Sequence, residues 1–247
     1  MKQTRLIMGM PITVEITDLA VEQKDLEAIF SYFQYVDEKF STYKETSEIT
    51  KINQHKLSEA DYSHDMKLVF DLCNETKNLT NGYFDILNPQ GIHDPSGLVK
   101  GWSIFNAANI LKEKGFTSFY IEAGGDIQAH GQKSGKNWKV GIRNPFNNNE
   151  IIKVLNISEE GVATSGTYIR GQHIYNPLDK KAALNDIVSF TVIGPNIYEA
   201  DRFATAAFAM GKKGIDFIEQ LKGFEGYMVD KDGIATMTSN FNKYILS

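Results

Sequence analysis

The sequence predicts an α+β fold with a largely antiparallel sheet and flanking helices. Short strand-like runs bounded by glycine collect in the second half of the chain, after Phe116. Segments of helical periodicity precede and interrupt them. No fixed-period repeat and no low-complexity linker divides the 247 residues.

Residues 6–17 read as a strand or hairpin arm, alternating as Ile12-Thr13-Val14-Glu15-Ile16-Thr17. Residues 21–40 read as an amphipathic helix with apolar Leu26, Ile29, Phe30, Phe33, Val36 and Phe40. Ser47 is placed to cap a short helix through Asn53. Helix resumes over 64–79 and ends at Asn81-Gly82. Gly82 to Gly101 is loop-like, with Pro89, Gly91, Pro95 and Gly97, and Lys100 to Lys114 reads as a helix closed by Gly115. Ser118 to Ala123 is a strand running into Gly124-Gly125-Asp126-Ile127. Further strands are expected at Trp138 to Ile142, Ile151 to Ile157, Gly161 to Tyr168 and Val188 to Ile193. The turn Gly194-Pro195-Asn196 feeds an alanine-rich helix over Glu199 to Gly211, with Asp201 in its first turn. A short helix over Gly214 to Leu221 and a hairpin of Gly226 to Val229 with Ile234 to Met237 complete the chain.

Composition narrows the function. With 42% apolar residues the chain can form one large domain or two small ones. Lys+Arg 26 against Asp+Glu 31 gives −5, which favours neither nucleic acid nor an anionic membrane surface. The single cysteine, Cys73, excludes an internal disulfide and suits a reducing compartment. Gly9 and Pro11 break the N-terminal apolar run, so no signal peptide and no membrane segment is expected, and the cytoplasm is the default.

Four stretches carry chemistry. Asp201 and Thr205 lie four apart, placing carboxylate and hydroxyl on one helix face. They are either a first-turn carboxylate beside a buried hydroxyl or two hard oxygen ligands for Mg²⁺. Asp94-Pro95-Ser96-Gly97-Leu98-Val99-Lys100-Gly101 leads into a helix start, where N–H groups and the Lys100 cation could meet a phosphate. It lacks Walker A spacing, and an ordinary loop is the alternative. Ala123-Gly124-Gly125-Asp126 could let a flat ligand or another strand approach closely, and reads locally as a tight turn. Ala163-Thr164-Ser165-Gly166-Thr167-Tyr168 with Arg170 and His173 clusters hydroxyls, a cation and an imidazole. No G-x-S-x-G elbow, H-E-x-x-H or cysteine pair is present, so a serine hydrolase or zinc site is not indicated.

In this order, these stretches resemble the FAD:protein FMN transferase (ApbE) family. Met8-Gly9, Phe40-Ser41-Thr42-Tyr43, Ser47-Glu48-Ile49, Ile52-Asn53 and His173-Ile174 with Pro177 add to the likeness. The resemblance implies one α+β domain over residues 1–247 with FAD in a cleft. It implies that the Gly97 carbonyl, Asp201 and Thr205 hold Mg²⁺. Met8, Tyr43, Phe84, Asp85, Asp94, Lys100, Gly124, Gly125, Asp126, Thr164, Ser165 and His173 would surround FAD. FMN would pass from FAD to a Thr or Ser hydroxyl of an acceptor flavoprotein, releasing AMP. His173 is the candidate base, and Asp201 serves catalysis through the metal.

The chain departs from the family in several places. No lipoprotein signal or lipid-modified cysteine is expected, the stretch between Phe84-Asp85 and Asp94 is shorter than in many members, Asn176 stands where Asp is common, and Leu98-Val99 replace Ile-Ala. Competing readings are a Mg²⁺-dependent FAD pyrophosphatase and a non-catalytic FAD-binding protein.

Overall fold

A computed structural model describes residues 1–88, 90–166, 176–179 and 186–246. The chain opens on a hairpin of β1 (Lys2–Ile7) and β2 (Met10–Ile16). The arm expected at 6–17 is thus two strands, broken at Met8 (φ 55°) and Gly9 (φ 70°), whose left-handed backbones make the two-residue turn.

The chain then leaves the sheet for four helices. These are α1 (Gln23–Phe40), α2 (Glu48–Asn53), α3 (His64–Leu79) and α4 (Ser96–Glu113). Ser47 caps α2 as the sequence predicts, accepting from Thr50 N–H at 3.1 Å and donating to the Ser41 carbonyl at 2.7 Å. α4 begins at Ser96, four residues before the expected start at Lys100. Asp94 accepts the Ser96 N–H at 3.0 Å, and Gly97 and Gly101 lie within the helix rather than in a loop. Packing against a neighbouring helix outweighs their weak helix propensity.

The rest of the sheet follows as β3 (Phe119–Ala123), β4 (Asp126–His130), β7 (Gly161–Gly166), β8 (Ile187–Gly194), β9 (Glu225–Asp230) and β10 (Ala235–Met237). Between β4 and β7 comes a hairpin, β5 (Trp138–Asn144) and β6 (Asn147–Ile157). Helices α5 (Ile197–Ala209) and α6 (Gly214–Glu219) lie between β8 and β9. Gly124 (φ 58°) and Gly125 (φ 97°) form the expected tight turn. Strand order among the described residues is β1-β2-β3-β4-β7-β8-β9-β10, every pair antiparallel, with β5-β6 forming a separate two-stranded sheet. The expected continuation of β7 to Tyr168, and the strand-like His173-Ile174-Tyr175, lie outside the described residues.

Strand alternation divides the interior in two. Val14, Ile121, Ala163, Val192 and Met228 face α1, α4 and α5 in one apolar cluster. Their neighbours Val162, Ile193, Tyr227 and Val229 face the β5–β6 hairpin and Phe241 in another. A third cluster, under α1, α2, α3 and α4, includes Phe40, Ile52, Phe84 and Trp102. Fully buried side chains such as Phe33, Phe119 and Phe190 each contribute about 1.5–3 kcal/mol relative to exposure. Among the described residues no helix is long and apolar enough to cross a membrane.

Candidate functional site

Two facing helices build the centre of the site. α4 presents Gly97 and Gly101, one turn apart, to Thr205 and Asp201 of α5. A Cβ on Gly101 would stand 2.5 Å from the Asp201 Cβ and 2.7 Å from the Ile197 carbonyl oxygen. A Cβ on Gly97 would stand 3.1 Å from Thr205 Cγ2. Bare backbone at both positions lets α5 approach, and polar contacts close across the gap. Gly101 N–H donates to Asp201 Oδ2 at 2.7 Å, and Thr205 Oγ1 donates to the Gly97 carbonyl at 3.2 Å.

The sheet sets where α5 starts. Asn196 caps it by accepting Glu199 N–H at 3.0 Å. Gln128 of β4 accepts the Ile197 N–H at 2.9 Å, and its amide donates to the Ala129 and Glu159 carbonyls, both at 2.8 Å. Gly161 admits this approach, since a Cβ there would meet Ile197 N at 2.1 Å. With α5 starting at Ile197, Asp201 falls in the second turn rather than the first. A helix-dipole role for it is therefore replaced by its contact with α4. The neighbouring Arg202, 4% exposed, ties α5 to α3 through Glu75 (3.0 Å) and Thr76 (3.2 Å).

Two acidic side chains meet one ammonium at the centre. Asp126 and Asp201 are 1% and 2% exposed, and both face Lys100. Lys100 Nζ lies 2.6 Å from Asp126 Oδ2 and 3.4 Å from Asp201 Oδ1. Burial raises the Asp201 carboxyl well above its ordinary range; Asp126 pushes the same way, while Lys100 and the Gly101 N–H oppose. Asp126 is held from its other side, Oδ1 accepting Thr164 N–H at 3.0 Å, and the Thr164 hydroxyl pairs with Thr191 at 2.8 Å.

The residues expected from the sequence divide between this centre and its surroundings. Gly97, Lys100, Asp126, Thr164, Asp201 and Thr205 meet there, with the Phe84 ring 3.3 Å from a Cβ built on Gly97. Asp94 hooks the α4 N-terminus. Met8 packs on two apolar clusters, Gly124 and Gly125 turn β3 into β4, and Ser165 is buried on β7. Asp85 pairs with Lys77 of α3 at 2.7 Å, and Tyr43 is 96% exposed. His173 lies outside the described residues.

The sequence reading missed three supports. Gly101 carried a signal, the four-residue spacing from Gly97 that marks close helix contact. Gln128 carried another, a buried amide between apolar Ile127 and Ala129. Asn53 entered only as part of the likeness, with no role given: it donates to the His93 carbonyl and accepts the His93 N–H, both at 2.9 Å, pinning the segment that enters α4.

Among the described residues no group of three or more His, Cys, Asp or Glu could hold a metal. A cation here would instead use one carboxylate, one hydroxyl and one carbonyl, hard oxygens that suit Mg²⁺ when ligand phosphates supply the rest. The Asp201 carboxyl, the Thr205 hydroxyl and the Gly97 carbonyl are oxygens such a cation takes, so the donor set fits it.

Comparison with known proteins follows the same lines. The family model for the ApbE family matches residues 8–90 and 88–228. An FAD:protein FMN transferase of Escherichia coli K12 is 26% identical over 167 residues, 62% of this chain and 48% of that protein. One from Vibrio cholerae is 27% identical over 171 residues, 64% of this chain and 51% of that protein. The chain therefore spans about half the length of the curated relatives it matches. The ApbE protein of Thermotoga maritima superimposes with a TM-score of 0.89 at 20% identity, covering 100% of this chain and 99% of that one. The flavin transferase ApbE of Vibrio cholerae gives 0.87 at 22%, covering 99% and 98%. At these identities the superpositions show a shared fold.

Proposed function

The chain belongs to the ApbE family, and we propose that it is a Mg²⁺-dependent FAD:protein FMN transferase acting as one domain over residues 1–247. The observation that carries this reading is the meeting of the Gly97 carbonyl, Asp201 and Thr205 between α4 and α5. In it FMN moves from FAD to a Thr or Ser hydroxyl of an acceptor flavoprotein, and AMP leaves.

Gly97, Asp201 and Thr205 would hold the metal. When bound, Mg²⁺ would offset negative charge building on the pyrophosphate as AMP departs. Lys100, at the edge of the same centre and 20% exposed in its side chain, adds a cation within reach of a phosphate. The buried Phe84 gives Gly97 an apolar backing that excludes water from one side. The acceptor oxygen bonds to the phosphorus on the FMN side, and the bond from that phosphorus to the bridging oxygen breaks. Its electron pair leaves with AMP, and His173 takes the hydroxyl proton.

Incubation with FAD and Mg²⁺, with and without an acceptor, tests the reading through AMP. AMP only with acceptor is expected. AMP without acceptor makes the protein a pyrophosphatase, and none in either case leaves a binder. His173→Ala is expected to slow transfer about 10²–10⁴-fold while FAD affinity holds. Near-normal turnover at saturating acceptor puts the base elsewhere.

A further inference from the structure

The metal reading uses Asp201 and leaves the second buried carboxylate, Asp126, without a part. Asp126 Oδ1 accepts the Thr164 N–H, and the Lys100 ammonium stands 2.6 Å from Oδ2, an oxygen with no hydrogen bond among the described residues. The same ammonium stands 3.4 Å from Asp201 Oδ1. Two carboxylates share one lysine, and the nearer one attracts it more strongly. We propose that Asp126 is a positioning residue, the counter-ion that holds Lys100 to one side and keeps the Asp201 carboxylate open to a divalent cation. The proposal rests on the metal site read above.

The geometry makes the exchange direct. Lys100 reaches both carboxylates from α4 on a flexible stem. Asp126 is anchored to β7 through Thr164, whose own hydroxyl is held by Thr191, so the strand fixes the carboxylate and the lysine comes to it. Without charge at Asp126, Asp201 is the remaining carboxylate of the pair. The ammonium then closes on the oxygen a divalent cation needs.

Mn²⁺ binding to the FAD-free protein, followed by the EPR signal of free Mn²⁺, tests this without turnover. Asp126→Asn keeps the shape and an acceptor for Thr164 N–H. It is expected to weaken Mn²⁺ binding by about tenfold or more. Adding Lys100→Met to Asp126→Asn removes the competitor and should bring affinity back to within about threefold of wild type. A double variant no better than Asp126→Asn makes Asp126 a ligand or a support and overturns the proposal, as does wild-type affinity in Asp126→Asn. Lys100→Met alone covers the case in which Asp126→Asn does not fold. It should bind Mn²⁺ at least as tightly as wild type, and weaker binding overturns the proposal. Asp201→Asn separates the two ideas: if it binds Mn²⁺ normally, the metal site itself falls. If it loses Mn²⁺ while Asp126→Asn does not, only the role of Asp126 falls.

Discussion

Asp201 is a buried carboxylate whose affinity for protons is raised by burial and by Asp126. The folded metal-free protein therefore binds a proton that the unfolded chain has released above an ordinary value of 3.8. Its stability falls as pH rises from there through the raised value. Asp201→Asn should flatten that slope and melt higher than wild type in alkaline, metal-free buffer, while Mg²⁺-dependent AMP release is lost. Thr205→Val should lose the same activity, with its metal-free melting temperature nearly unchanged. Melting curves at acid and alkaline pH with AMP assays on both variants check this. Retained activity with lowered melting in both would reduce them to packing residues. Cys73 gives a second test, because burial pushes its thiol up to about 12. A thiol reagent at mildly alkaline pH should leave the native protein untouched and label one cysteine in denaturant; fast native labelling contradicts the burial. At this scale the pair Asp201 and Thr205 was legible because helix period alone puts them on one face. The Lys100–Asp126 pairing was not, because it forms between a helix and a strand whose approach no local pattern encodes.

At the scale of elements, the α4–α5 contact is decided by two glycines with different tolerance. Gly101→Ala sets a Cβ 2.5 Å from the Asp201 Cβ and 2.7 Å from a backbone oxygen, so the helices must part. Overpacking of this kind costs about 1–3 kcal/mol, and metal-dependent activity should go with it. Gly97→Ala meets side-chain carbons at 3.1 and 3.3 Å, which can give, and gains up to about 1 kcal/mol of helix propensity. Its stability in urea should stay near wild type while activity drops, as the added methyl crowds Thr205. Equal stability in the two variants would show that the helix contact is softer than its distances. The start of α4 was hidden in the sequence for the same reason: Gly97 and Gly101 are loop residues by propensity, and the contact with α5 holds both in the helix. Ser47 and the Gly124-Gly125 turn were legible, since a cap and a tight turn are settled by their own few residues.

For the whole molecule, the sheet separates clusters that report independently. Trp102 packs edge-on against Phe40 at 5.6 Å beneath the helices, and Trp138 stacks on Tyr120 at 5.5 Å across the other face. Trp138→Phe and Trp102→Phe leave one reporter on each side. If residues 1–247 fold as one unit, the fluorescence of each variant should give the same urea midpoint and slope as its own far-ultraviolet circular dichroism. Midpoints that differ between the two probes of one variant would divide the chain in two. The α+β class and antiparallel pairing were readable from how strands and helices group. The pairing of β2 with β3 was not, because α1 to α4 come between them.

That pairing has a kinetic side. Thr17 and Ser118 clasp through a backbone bond of 2.9 Å and a hydroxyl bond of 2.7 Å, although 101 positions separate them. Closing so long a chain is a slow search, and contacts across it should form late in folding. The entropy of closure, however, grows only logarithmically, about 0.6 kcal/mol for each doubling. Once the clasp is made, a few residues more or fewer inside the excursion scarcely alter its cost. The short stretch between Asp85 and Asp94 is therefore a place where the chain can change length while β2 and β3 stay in register.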